Sequence, residues 1–172
     1  MGRRGLLSAT VVGAAIVALI VFGLSTSGSK TVGRRAPALP SERLAGPPTT
    51  LARLLAGAHG RATLITFWAS WCGPCAREAD ALERFSQSPA GRGRLVGVDW
   101  SDGLAGARAF VSEHRWTFPV LRDAEGTVGN RYRLTGLPTT FAVAASGRIR
   151  AVLRGPQTAS TLLRAMTRAG KS

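Results

Sequence analysis

Apolar residues recur along this chain in two rhythms. Thr63-Leu64-Ile65-Thr66-Phe67-Trp68 is a short apolar run, and residues 94–99 form a second one of the same length. Such runs predict strands buried in a sheet. Residues 76–85 and 103–115 carry helical spacing instead, the latter through Leu104, Ala107, Phe110 and Val111. Further on, residues 118–121 read as a short strand and 126–134 as a short helix. Residues 141–143 and 149–153 make a terminal hairpin around the turn at Ala145-Ser146-Gly147-Arg148, and 157–169 a closing helix. Nearer the N-terminus, residues 39–44 and 49–51 flank Gly46-Pro47-Pro48 and read as a hairpin, with a short helix over 51–56. Strands alternate with helices, then a hairpin and a helix finish. The expected class is α/β, a central mixed β-sheet flanked by helices, with no internal repeat.

A third pattern precedes the domain. From Gly5 to Ser29 there is no charge, and the stretch holds an unbroken apolar run from Val11 to Phe22 apart from Gly13. As a helix it would reach about 37 Å, enough to cross a hydrocarbon core. A cleaved signal peptide would have a shorter apolar region and an Ala-x-Ala-like site, and neither is present. The expected organisation is therefore a transmembrane anchor over 1–29, a linker over 30–37 and one domain over 38–172. Arg3 and Arg4 precede the apolar segment while Lys30, Arg34 and Arg35 follow it, so local charge does not set orientation. An N-terminal signal-like segment, and a cysteine pair of use where disulfides form, place the domain on the extracytoplasmic face.

Charge adds one constraint. The chain carries 23 Lys and Arg against nine Asp and Glu, a net charge of +14. That balance suits an anionic membrane surface or an acidic partner. The arginines are scattered, with no dense basic run interleaved with aromatics, so nucleic-acid binding is not the reading.

The chemistry lies in Trp71-Cys72-Gly73-Pro74-Cys75, which holds both cysteines of the chain. A predicted strand delivers the pair to a helix N-terminus, where free N–H groups and the macrodipole favour a thiolate. Cys72, first and outermost, is the expected nucleophile. Cys75 lies about one turn further in and can attack a mixed disulfide on Cys72. As a structural staple the pair would close too small a loop to constrain the unfolded chain. As a zinc half-site it would need two more ligands, and His59 and His114 are not at paired spacing. Gly-Pro between the cysteines at such a turn argues against two inert core residues. No cofactor or metal is required.

Together with Phe67-Trp68-Ala69-Ser70 before the pair and Gly136-Leu137-Pro138-Thr139-Thr140 after it, the chain resembles the thioredoxin-like fold. It is most similar to the membrane-anchored TlpA/ResA/DsbE group of thiol-disulfide oxidoreductases, from about residue 36 to the C-terminus. The unit at 103–121 matches the helix-and-strand insertion of that group, and the hairpin its N-terminal extension. Trp116-Thr117-Phe118-Pro119 is expected to pack this insertion on the core. The resemblance implies that Pro138 is cis and faces the cysteines, and that Leu137 binds substrate backbone. From residues alone Pro138 could equally be a trans strand entry. The substrate-facing surface implied is Trp71, Gly73, Pro74, Leu137 and Pro138. Classical thioredoxins keep a buried Asp six residues before the first cysteine. Here that residue is Thr66, which cannot titrate. Glu78, three residues after Cys75, matches a glutamate of ResA-like proteins and becomes the candidate proton acceptor. Its alternative is an ordinary solvent-facing acid near a helix start. Asp99 and Asp102 read as a strand end and a loop.

What the resemblance implies is an extracytoplasmic reductase of protein disulfides, apocytochrome c among its substrates, supplied by a membrane thiol-relay electron donor. The direction of exchange is not encoded, although Gly-Pro is the pair that reducing thioredoxins carry. An oxidase of secreted proteins is the nearest rival. A copper-handling assembly chaperone is another, for which the pair offers only two donors because Met1 and Met166 are remote. A thiol peroxidase would need a Thr and Arg arrangement that is not recognisable here.

Overall fold

A computed structural model describes residues 31–171. The transmembrane anchor expected over 1–29 lies outside them. Among the described residues no helix is long and apolar enough to cross a membrane. In chain order the elements are β1 (Arg43–Ala45), α1 (Leu51–Gly57), β2 (Thr63–Trp68), α2 (Gly73–Gln87), β3 (Leu95–Trp100), α3 (Leu104–Glu113), β4 (Val120–Asp123), α4 (Thr127–Arg131), β5 (Thr139–Val143), β6 (Ile149–Arg154) and α5 (Ala159–Gly170).

The six strands form one sheet in the order β1-β4-β3-β2-β5-β6. β2, β3 and β4 are parallel neighbours, while β5, β6 and β1 join antiparallel. Every residue of β2 is buried, which is why its sequence reads as a continuous apolar run and not an alternating one. Leu64 and Trp68 face one core with Cys75, Leu82, Phe110 and Leu162. Ile65 and Phe67 face a second with Leu54, Tyr132, Phe141 and Ile149. Helices α2, α3 and α5 therefore cover one side of the sheet, and α1 and α4 the other.

Two expectations near the N-terminus need correction. The hairpin over 39–51 does not form. Only Arg43–Ala45 is a strand, and it pairs with β4, Arg43 opposite Leu121. Gly46 then turns the chain at φ 68°, Pro47 and Pro48 have no N–H for a ladder, and Thr50 caps α1 by accepting from Arg53 N. The linker over 30–37 is also not free chain. Gly33 N–H donates to Ile149 O at 2.7 Å and Ala36 N–H to Gly147 O at 2.8 Å, so residues 33–36 close the start of the edge strand β6. The buried Tyr132 hydroxyl holds the same segment through Pro37 O at 2.8 Å. Composition marks this stretch as polar and proline-bearing, but says nothing of a partner more than a hundred residues away.

The insertion packs as expected. Trp116 lies 4.8 Å, centroid to centroid, from both Trp68 and Phe118, and its indole N–H donates to Ala79 O on α2 at 3.0 Å. Phe110 of α3 stacks on Trp68 at 4.7 Å. Trp68 thus ties β2, α3 and the entry to β4 into one cluster. Replacing Trp116 by Ala empties the middle of it and removes the indole hydrogen bond to Ala79 O. We expect Trp116→Ala to cost about 3–5 kcal/mol, read as a lower urea midpoint at unchanged slope. A loss below about 1 kcal/mol would mean that the insertion does not depend on this ring.

Candidate redox site

Strand β2 ends at Trp68, and a turn closed by Cys72 N–H to Ala69 O at 3.2 Å leads into α2. The helix starts three residues earlier than its apolar periodicity indicates, because Cys72 itself is the cap. Its Sγ accepts from Cys75 N–H at 3.2 Å, and Pro74 sits in the first turn, where a missing N–H costs nothing. Cys72 and Cys75 are joined as a disulfide with Cα atoms 5.2 Å apart. Both are buried, Cys72 at 4% exposure and Cys75 at 1%, whereas Trp71 beside them is 59% exposed. Gly73 faces open space.

The second motif arrives by register. Thr139 of β5 pairs with Phe67 of β2, so Pro138 stands one residue further on, across from the end of β2 where the redox turn begins. The Leu137–Pro138 peptide bond is cis, as the resemblance implies. Pro138 O accepts from Gly155 N–H at 3.0 Å, and the Thr139 hydroxyl donates to Gly136 O at 2.7 Å, which fixes the 136–139 turn. Leu137 packs against both cores.

Glu78 has no exposed surface. One carboxylate oxygen accepts from Gln157 N–H at 2.7 Å; the other is buried with no partner. Burial pushes its pKa up to about 7, against the smaller downward pull of that hydrogen bond. A solvent-facing helix acid is thereby excluded. The place of the classical aspartate is taken by a neutral pair, Thr140 donating to the Thr66 hydroxyl at 3.0 Å.

One buried acid was missed by sequence reasoning. Asp99 is fully buried, and strand alternation puts it on the Leu95 face of β3, the side of the sheet that α2 covers. Its carboxylate lies 3.8 Å from Arg122 Nε and makes no hydrogen bond. Burial first, then the nearby Asp102 charge, raise its pKa to about 7, against Arg122. A charged residue inside an otherwise apolar strand run was the available signal.

A disulfide between two cysteines at a strand-to-helix turn, with a cis-proline strand entry across from it, is the arrangement of thioredoxin-like thiol-disulfide oxidoreductases. Comparison with known proteins agrees: the chain belongs to the AhpC/TSA family, whose model matches residues 32–152. It is 33% identical over 155 residues to the thiol:disulfide interchange protein HelX of Rhodobacter capsulatus, covering 89% of this chain and 85% of that one. It is 26% identical over 153 residues to the thiol-disulfide oxidoreductase ResA of Oceanobacillus iheyensis, covering 86% and 80%. The crystal structure of a thioredoxin-family thiol:disulfide interchange protein from Chlorobium tepidum superposes with a TM-score of 0.67 at 26% identity, over 80% of this chain and 97% of that one. The protein is a thiol-disulfide oxidoreductase of the TlpA/ResA/DsbE-like group.

The raised pKa of Glu78 has a consequence for stability. Its folded value lies above its unfolded one, so its share of stability is complete below about pH 4.5 and is lost as pH rises through about 7. The size is on the order of 3 kcal/mol. For the oxidised protein, urea unfolding at pH 5 and pH 8 should show lower stability at pH 8, and Glu78→Gln should remove a large part of that difference. An identical pH dependence in the variant would mean that Glu78 is not desolvated.

Proposed function

We propose that the protein reduces disulfides of extracytoplasmic protein substrates, foremost the haem-attachment cysteines of apocytochrome c, and that residues 1–29 anchor it in the membrane. The observation that carries this reading is the placement of the Cys72–Cys75 pair at the start of α2 with the buried, half-satisfied Glu78 carboxyl one turn further along.

In the reduced form the Cys72 thiolate attacks one sulfur of the substrate disulfide, forming a mixed disulfide and releasing the other substrate sulfur as a thiolate. Cys75 then loses its proton and attacks Cys72 Sγ. The second substrate sulfur leaves, and the enzyme is left with the disulfide seen here. Two electrons pass to the substrate, and a membrane thiol relay supplies two more to reduce the Cys72–Cys75 disulfide again. Glu78 takes the Cys75 proton; a pKa of about 7 places it near the working pH, where acceptor strength and the ionised fraction are both useful. Trp71, Gly73, Pro74, Leu137 and Pro138 form the surface on which an extended substrate segment lies, its backbone meeting Leu137 beside the strand edge.

The test measures the reduction potential of the full chain in detergent by equilibration in thiol redox buffers, together with trapping by Cys75→Ala on a peptide disulfide of the Cys-x-x-Cys-His type. A potential near that of thioredoxin, about −270 mV, with a mixed disulfide through Cys72, is the expected result. A potential near about −120 mV, with bond formation in reduced substrates, would replace the reductase with an oxidase.

A further inference from the structure

The redox turn is held from outside by the segment that follows β3. Ser70, two residues before Cys72, donates its backbone N–H to Asp102 Oδ2 at 2.6 Å and its hydroxyl to Asp102 Oδ1 at 3.0 Å. The same Oδ1 accepts from Gly103 N–H at 2.7 Å. Next along the turn, the Trp71 indole N–H donates to Ser101 O at 3.2 Å. The bonds from Ser70 and Trp71 join residues 30 to 32 positions apart in sequence.

Neither side of this contact is free to drift. Ser101 is held in the left-handed region at φ 51°, and the Asp102 carbonyl accepts from Arg122 Nη2 of β4 at 3.1 Å. Gly106, in the first turn of α3, lies so close to Ser70 that a Cβ there would stand 2.6 Å from its hydroxyl. Helix α3 therefore abuts the turn, with one carboxylate as the fastening.

We propose that Asp102 is a positioning residue for thiol-disulfide exchange: its carboxylate fixes residues 70 and 71, and through them the approach to the Cys72 sulfur and the pose of the exposed Trp71 ring. The physical need is specific. Attack on sulfur requires three sulfurs in line, and a shift of about 1 Å in the supporting loop is enough to cost roughly a hundredfold in rate. The Cys72 backbone is one residue beyond Trp71, whose ring is largely solvent-exposed and has this single bond to orient it. The assignment holds for either direction of exchange.

Asp102→Asn is the informative change. It keeps the shape and one accepting oxygen, but turns an NH2 group toward either the Ser70 or the Gly103 N–H. We expect kcat/KM for reduction of a peptide disulfide to fall about tenfold or more, the Cys72 thiolate pKa read by absorbance at 240 nm to move by at least half a unit, and Trp71 fluorescence to shift. Asp102→Glu should recover part of each. If Asp102→Asn lowers only the melting temperature, leaving rate and thiolate pKa as in the parent, Asp102 serves only as a support for α3 and the proposal is overturned. Should Asp102→Asn fail to fold, Asp102→Ser decides, because it withdraws the carboxylate from both Ser70 contacts: a reduced rate with a moved thiolate pKa supports the clamp, and parental values of both refute it.

Discussion

The redox end of this molecule depends on the register of β2 between β3 and β5. β2 is buried on both faces, so a slip of one residue would move Leu64, Thr66 and Trp68 into the core now filled by Ile65 and Phe67. With the register fixed, Trp68 aligns with Asp99 and Phe67 with Thr139. Three chain segments then reach the same edge: the turn at 69–72, the turn at 101–103 and the proline turn at 136–138. The cysteines, the clamp and the cis-proline come from three separate regions of sequence, and one strand brings them together.

Within that frame the cysteine helix carries an electrostatic cost. Burying a carboxyl is unfavourable unless it is paired or neutral, and Glu78 has one hydrogen bond where an ionised carboxylate would accept several. Burial raises its pKa to about 7 instead, so the neutral acid persists well above the ordinary carboxylate range. The strand position that could have held an alternative acid is occupied by the Thr66–Thr140 hydroxyl pair, which is satisfied and does not titrate. In the proposed mechanism, proton exchange near Cys75 falls to a group on its own helix, three residues further along.

Much of this was legible in the sequence, because the signals were local. A fully apolar strand, a cysteine spacing and a proline before a β-type run are each contained in a few residues, and the strand-to-helix placement of the pair followed directly. What escaped was pairing across long separations. Residues 33–36 bond to the start of β6 through backbone groups that any sequence possesses, so composition could only report a linker. Gly46-Pro47-Pro48 carries strong turn chemistry, and the turn is real, but its far side caps a helix at Thr50. Asp102 was read as an ordinary loop acid because nothing at position 102 indicates that Ser70 lies beside it.

Net charge misleads in a related way. A chain of +14 suggests a positive environment everywhere. The charges built into the packing near the redox turn are instead largely acidic: Asp102 against Ser70, buried Asp99 on the adjoining strand, and Glu42 on the other side of Arg122. Arg122 pairs with Glu42 at 3.4 Å, lies 3.8 Å from Asp99 and donates to the Asp102 carbonyl. Carboxylates disfavour a nearby thiolate but leave a neutral disulfide unaffected, so they shift the equilibrium toward the oxidised form and make the dithiol a stronger donor of electrons. The start of α2 acts in the opposite sense, through the Cys75 N–H that meets Cys72 Sγ. A strong oxidant is one whose reduced form is stabilised. Under the proposed reductase reading, the helix terminus supplies that stabilisation and the acids packed beside the turn oppose it, so that local balance, more than total charge, would set the direction.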